Sequence, residues 1–335
     1  MRQGGRIKLS DVARDAGVSP ATVSRAIAQP HLLSEETLAK VRASALRLGY
    51  LPDGAARALA SGRSMTIGAI VPTLDSAIFA RALQAMQSTL AQEGFLLLVA
   101  SHEGHAAAEA QAVRSLLGRG VDGLMLVGAE RPPETVAMLK EARVPIVLTW
   151  CGDGNFTAVT IDNVLAGRLA AEHLIGLGHR RIGMVTGQLR FNDRQRARLA
   201  GARAALAEAG LGLPDQLHSE QAVTLAGGRI GCATLLELDD PPTALIGGID
   251  LLAIGCMEEA HARGISVPFG LSVVGIDGLD MSAHVSPSLT TVHLPIGRIG
   301  TLAAETLMAL VAGRFAETTM LPVELVVRRS TARLD

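Results

Sequence analysis

Residues 16–30 read AGVSPATVSRAIAQP, and Pro20 decides how the start of the chain folds. Inside a helix a proline removes a hydrogen bond, but in the first turn its missing N–H costs nothing. Ser19 is a good N-cap just before it, so the stretch predicts a helix beginning at Pro20. Val23, Ala26 and Ile27 then fall on one buried stripe. Upstream, Ser10 is the expected N-cap of a shorter helix carrying Val12, Ala13 and Ala16. Gly17 ends that helix, where a left-handed residue is needed. Downstream, Ser34 caps a third helix, with Glu35 and Glu36 in its first turn and Gly49 past its end. Two short helices joined by a Gly-Val turn and backed by a third describe a helix-turn-helix.

Such a unit lays the N-terminal half of its second helix in the major groove of DNA. Small residues let that helix sink deep, and hydroxyls bond phosphates or base edges. Pro20, Ala21 and Arg25 are the candidates to face bases, with Ser19, Thr22 and Ser24 on phosphates. An ordinary helical hairpin would satisfy the same local pattern. Charge favours DNA: residues 1–63 hold ten Lys and Arg against five Asp and Glu, while the rest hold 21 against 27. The overall charge of −1 hides this basic arm on a mildly acidic body.

From Thr66 the pattern changes. Short apolar runs (TIGAIVP, FLLLVAS, VDGLMLVG, PIVLTW) alternate with amphipathic helices such as FARALQAMQSTLAQEG and AEAQAVRSLLGRG. After IDNVLAGRLAAEHLIGLGH the cycle restarts with RIGMVTG, RLAGARAALAEAG, ALIGG, LLAIGCMEEAHARG and LSVVGID. Residues are 48% apolar but only 2% aromatic, as suits helices packed on parallel strands. Two successive β-α-β series predict two doubly wound parallel-sheet lobes behind an all-α head. Ligands in such sheets sit beyond the strands' carboxyl ends, so two facing lobes make a cleft.

LSDVARDAGVSPATVSRAI, followed by SEETLAKVRASALRLGYLPDGAARALASGRS, resembles the DNA-binding head of the LacI/GalR regulators. HLIGLGHRRIGMVTG, RLAGARAAL, PPTALIGGIDLLAIGC, SVPFGLSVVGID and PSLTTVHLP carry the resemblance through the body. The resemblance implies a head over 1–49, a hinge helix over 50–63 and a periplasmic-binding-protein-like core over 64–335. The core would divide into an N-lobe (about 64–162 and 292–320) and a C-lobe (about 163–291 and 321–335). In the hinge, Leu59 stands where the family wedges a leucine into the central base step, with Ala56 and Arg57 beside it.

The same resemblance implies a transcription regulator, a repressor by this reading, which binds a near-palindromic duplex operator as a homodimer or tetramer. A small effector, a sugar or sugar acid, would occupy the cleft and alter DNA affinity; a purine-type corepressor is the alternative. Effector contacts are expected from Asp75 and Phe79 after the first strand, Arg198 in RARLAG and Asp277 in VVGID. Asp250 follows Ile249 where the family often has an asparagine, so one usual contact is missing or replaced. Arg194 and Asn192 stand nearby to compensate, and Trp150 ends a strand at the cleft.

No cofactor is expected, and no enzyme: there is no phosphate-binding P-loop, dinucleotide fingerprint or G-x-S-x-G elbow. A soluble sugar-binding module is the rival from another class. His173 and His179 read as structural or surface residues, and the SHEGH stretch around His102 as a solvated loop. Cys151, Cys232 and Cys256 lack metal-ligand spacing and read as reduced thiols. With no signal-like apolar run and no span of about 18 apolar residues, a cytoplasmic protein is expected.

Overall fold

The computed structural model describes residues 7–29, 32–51 and 62–334. It forms two compact units, one of residues up to Thr66 with Gly120–Asp122, the other of Ile67–Arg119 with Gly123 onward.

In the head, α1 (Leu9–Ala16), α2 (Pro20–Ala28) and α3 (Glu35–Leu48) close around Val12, Ala13, Val23, Ala26 and Val41. The cap of α1 differs from expectation. The helix begins two residues earlier than a Ser10 cap would place it, at Leu9, and the Lys8 N–H donates to the Asp11 carboxylate (3.0 Å). Asp11 therefore does the work expected of Ser10, and a carboxylate in the first turn also favours the helix dipole. Gly17 lies in the left-handed region (φ 68°), letting Val18 N–H reach the Ala13 carbonyl (3.0 Å). Ser19 Oγ accepts from Thr22 N–H (3.1 Å) with Pro20 at the first helical position. Ser34 Oγ does the same for Thr37 (3.3 Å). Buried Ser44 on α3 donates to the Val12 carbonyl (3.3 Å) and bonds Asp15, pinning α1 to α3. Ser19→Ala is expected to destabilise the head by about 1 kcal/mol. Amide-exchange protection across α2 measures the loss.

The body has two six-stranded sheets. The first joins β1 (Thr66–Val71), β2 (Leu96–Ser101), β3 (Gly123–Val127), β4 (Ile146–Trp150), β5 (Thr157–Ile161) and β11 (Thr319–Leu321) in the order β11-β5-β4-β3-β1-β2. The second joins β6 (Ile182–Gly187), β7 (His218–Gln221), β8 (Ala244–Gly247), β9 (Ser272–Asp277), β10 (Thr290–His293) and β12 (Glu324–Val326) in the order β12-β10-β9-β8-β6-β7. Only the short β12 is shown antiparallel to its neighbour. The chain changes sheet after Ile161, after His293 and between Leu321 and Glu324.

Helices cover the sheets: α4 (Ala77–Gln92), α5 (Ala106–Gly118), α6 (Pro133–Glu141), α7 (Asn163–Gly176), α8 (Asp193–Glu208), α9 (Leu225–Leu236), α10 (Asp250–Ala262), α11 (Asp280–His284) and α12 (Ile296–Val311). The α7–α8 crossing positions the site and depends on two glycines. A Cβ on Gly167 would lie 1.8 Å from the Arg198 carbonyl oxygen, and one on Gly201 1.9 Å from that of Val164. No side chain fits either gap, so the backbone carrying Arg198 is held tightly against α7. His173 and His179 are structural, as expected: they bond Thr331 (2.9 Å) and the Ala332 carbonyl (3.2 Å), tying down the C-terminal segment.

Candidate functional site

Ser19, Pro20, Ala21, Ser24 and Arg25 are exposed on α2, and Thr22 is half-buried. Helical spacing turns Val23 and Ala26 inward, which leaves the small and hydroxyl residues on a free face. Arg25 is the cation of that face. Ala56, Arg57 and Leu59 lie outside the described residues.

In the body, a cavity of about 550 Å³ opens at the carboxyl ends of strands from both sheets. From the first sheet come Pro72–Ile78 except Leu74, with His102–Gly104; from the second, Gln188, Arg190–Asn192, Arg194, Ala222–Thr224, Ile249 and Asp277. The volume is typical of a small-molecule site. Several strand-end residues there hold unusual backbones: Glu103 (φ 48°), Phe191 (φ 53°) and Asp277 (φ 145°). Strained non-glycine residues cluster at ligand sites more than elsewhere.

Of the residues singled out in the sequence as effector contacts, Asp75, Asn192, Arg194 and Asp277 line the cavity. Phe79 does not. It is 6% exposed and meets Trp150 edge-on in the core, with ring centroids 5.3 Å apart. Its neighbour Ile78 faces the cavity instead, because one residue on a helix turns the side chain by about 100°. Trp150 is likewise a core residue, 1% exposed. The aromatic that the cavity does have is Phe191, with the Arg190 guanidinium 5.2 Å from its ring centroid.

Arg198 and Asp250 lie beneath the cavity wall rather than on it. Arg198 donates to Asn163 Oδ1 (3.1 Å), the Gly248 carbonyl (2.7 Å) and Asp277 Oδ1 (3.2 Å). Asn163 in turn donates to the Trp150 carbonyl (3.1 Å), so the Arg198 network reaches the end of β4. Asp250 accepts from Leu279 N–H (2.8 Å), Ser282 Oγ (2.6 Å) and Thr291 Oγ1. That fixes the loop after β9, which carries Asp277. Ile249 presents an apolar side chain to the cavity, leaving the polar work on that wall to its neighbours.

Burial governs the electrostatics. It pushes Asp277 up to about 7, against the pull of Arg198 and with a further push from Asp250. It also raises Asp250 and lowers Arg194. His102 is held down to about 4 by burial, then by Arg194 and Arg131. Against the expectation of a solvated loop, His102 is half-buried, because it lines the cavity together with Arg194. Nothing local in SHEGH signals that placement. Unfolded, His102 would take a proton near 6.5; folded, only near 4. The unfolded chain therefore binds more protons between those values, and this group's contribution to stability is lost as pH falls through them. His102→Asn is expected to flatten that part of the pH–stability curve, as measured by urea unfolding.

Polar links join the two lobes beside the cavity. The Asp193 carboxylate accepts from the N–H groups of Ala129 (2.6 Å) and Glu130 (3.3 Å). Arg196 pairs with Glu130, and Arg81 with Asp280 at 3.3 Å. Among the described residues no group of three His, Cys, Asp or Glu side chains is placed to hold a metal ion. No described helix is long and apolar enough to cross a membrane.

Residues 8–53 match the family model of bacterial regulatory proteins, lacI family, and residues 171–331 that of a periplasmic binding protein-like domain. Catabolite control protein A of Priestia megaterium is 31% identical over 97% of this chain and 99% of its own. The chain belongs to the LacI family. The transcriptional repressor PurR of Serratia proteamaculans is 32% identical over 97% and 96%. The ribose operon repressor of Escherichia coli K12 is 31% identical over 90% and 92%. Among solved structures, the Lac repressor dimer bound to operator and the anti-inducer ONPF superposes with a TM-score of 0.87. It is 28% identical, covering 98% of this chain and 100% of its own. A CelR–cellobiose complex gives a TM-score of 0.73 at 29% identity, covering 97% and 100%. As a LacI-family member, the protein is a DNA-binding transcriptional regulator with a helix-turn-helix head and a ligand-binding body.

Proposed function

We propose that this regulator is a cytoplasmic homodimeric repressor that reads a near-palindromic operator and releases or tightens it as a sugar or sugar acid enters the cleft. The observation that carries the reading is the cavity of about 550 Å³ at the strand ends, where hydroxyl-binding groups stand beside an apolar wall. Asp75, Gln188, Asn192, Arg194, Thr224 and Asp277 supply donors and acceptors; Ile78, Phe191 and Ile249 supply the apolar surface. The ribose operon repressor and the cellobiose complex make sugars the first class to try. Each head would read one half-site with Arg25 and its small neighbours, and paired Leu59 side chains would wedge the centre. An effector changes DNA affinity only through its differential binding to two states of the cleft.

A second reading has its own observation. The half-exposed Phe191 ring at the cavity, backed by Arg190, is also a platform on which a purine would stack. A thermal-shift panel of sugars, sugar acids, sugar phosphates, nucleosides and purines separates the classes. A true ligand at about 100 times its dissociation constant adds about 2.7 kcal/mol, which raises the melting temperature by several degrees. A panel silent for sugars and acids but positive for purines overturns the first reading in favour of the second.

A further inference from the structure

We propose that the effector is anionic: a sugar acid whose carboxylate is held by Arg194 at the mouth of a small chamber walled by His102 and Arg131. This rests on the cleft being the effector site and narrows what the site takes. The main cavity and the chamber share Pro72, His102, Gly104, Phe191 and Arg194 as lining, so the two lie side by side. Glu109, Arg131 and Pro132 close the chamber, whose volume of about 20 Å³ admits a single oxygen-sized group.

Two polar atoms on its walls are buried with no hydrogen-bond partner among the described residues, His102 Nδ1 and Arg131 Nε. The Arg131 side chain is 1% exposed. Its terminal nitrogens donate to the carbonyls of Gly128 (3.0 Å) and Ala129 (3.2 Å) and, at the long distance of 3.4 Å, to Glu109. Its Nε is left over. A buried donor without a partner is costly, so an acceptor that the chamber walls let reach it is favoured.

Charge around the chamber is mixed, since the carboxylates of Glu109 and Glu130 line it beside Arg131 and Arg194; what favours an anion is an open guanidinium edge rather than net charge. Around His102 stand Arg194, Arg131, Glu103 and His105, and the two arginines are the strongest of these influences. Arg194 shares Nη1 with Asp193 (2.9 Å), while its side chain lines both the chamber and the main cavity. Glu109 takes one nitrogen of Arg131, whose terminal nitrogens are otherwise spent on carbonyls, and Asp193 takes one nitrogen of Arg194, whose remaining edge is open. A guanidinium with an open edge binds a carboxylate better than a neutral hydroxyl, through charge-assisted bonds. His102, neutral at ordinary pH, adds a donor to the same oxygen in one of its tautomers. The sugar hydroxyls would then lie toward Asp75, Thr224 and Asp277.

Calorimetric titration of the full chain with glucuronate, galacturonate and gluconate, each against its neutral parent sugar, tests this. At least one acid is expected to bind about tenfold or more tightly than its parent, about 1.4 kcal/mol. Arg194→Gln should collapse that ratio toward one, and Arg194→Lys should restore part of it. If Arg194→Gln fails to fold, His102→Phe serves as the second variant, with the same loss of acid preference expected. Neutral sugars binding as well as their acids, or a preference that survives the substitution, overturns the anionic effector and leaves the effector cleft standing. A panel in which neither sugars nor acids bind overturns this inference and the sugar reading together.

Discussion

Arg198→Met is expected to destabilise the body by about 3–5 kcal/mol near pH 8, and by clearly less near pH 5.5. The guanidinium is 2% exposed and spends its bonds on Asn163, the Gly248 carbonyl and Asp277. Methionine fills similar volume but leaves a carboxylate buried without its cation, and breaking one side of such a pair is far costlier than losing the pair. Asp277 already titrates near 7 when folded, above its ordinary 3.8, because burial outweighs Arg198. The folded chain thus holds a proton that the unfolded chain releases between about 4 and 7, so this group's contribution to stability falls as pH rises through that window. Without Arg198 the carboxyl group titrates higher still. Protonation then relieves the variant at low pH, and the deficit is greatest where Asp277 must ionise. Urea unfolding at the two pH values measures both numbers. A deficit equal at both would mean that Arg198 acts through packing and its carbonyl bond rather than through the ion pair.

Arg25→Ala is expected to weaken operator binding by about tenfold to a hundredfold per half-site, and to relax preference at one base-pair position in each. The side chain is exposed on the same face of α2 as Ser19, Pro20, Ala21 and Ser24. Nothing else on that face carries a cationic fork, so a guanine N7 and O6 pair is its natural partner. Competition with duplexes altered one position at a time reads the change. A uniform loss across all sequences, with the salt slope reduced by about one, would make Arg25 a phosphate contact instead.

The head was legible because its signals are local. Ser19, Pro20, Gly17 and Gly49 act within one turn of where they stand, and only the first cap moved, from Ser10 to Asp11 acting on Lys8. The alternation of the body was also plain, yet the runs read as strands and helices leave out α6, β5, β7, α9, α11, α12 and β10–β12. The α9 segment, LAGGRIGCATLL, has glycines at 227, 228 and 231 that weaken helix propensity. They are there for packing: a Cβ on Gly228 would come within 2.4 Å of the Leu252 carbonyl oxygen on α10. Tertiary contact overrides propensity at that crossing.

The site was legible by region and not by residue. Strand-end loops were the right place to look, and Asp75, Asn192, Arg194 and Asp277 reach the cavity. Whether Phe79 or Ile78 faces it depends on the phase of α4, which the sequence places only to within a residue or so. Whether Arg198 and Asp250 meet solvent depends on how deeply α8 and α10 sink against the second sheet. His102, Arg131 and Phe191 come together only because loops from the two lobes meet beside Asp193.

The central claim is that one chain joins a sequence-reading head to a cleft that controls it. Selection of duplexes from a random pool by the purified full chain tests it most directly, followed by titration of the selected duplex with and without a ligand that stabilises the body. The account predicts a near-palindromic sequence whose affinity shifts about fivefold or more when that ligand is present. Enrichment of no sequence, or affinity indifferent to an occupied cleft, would contradict it.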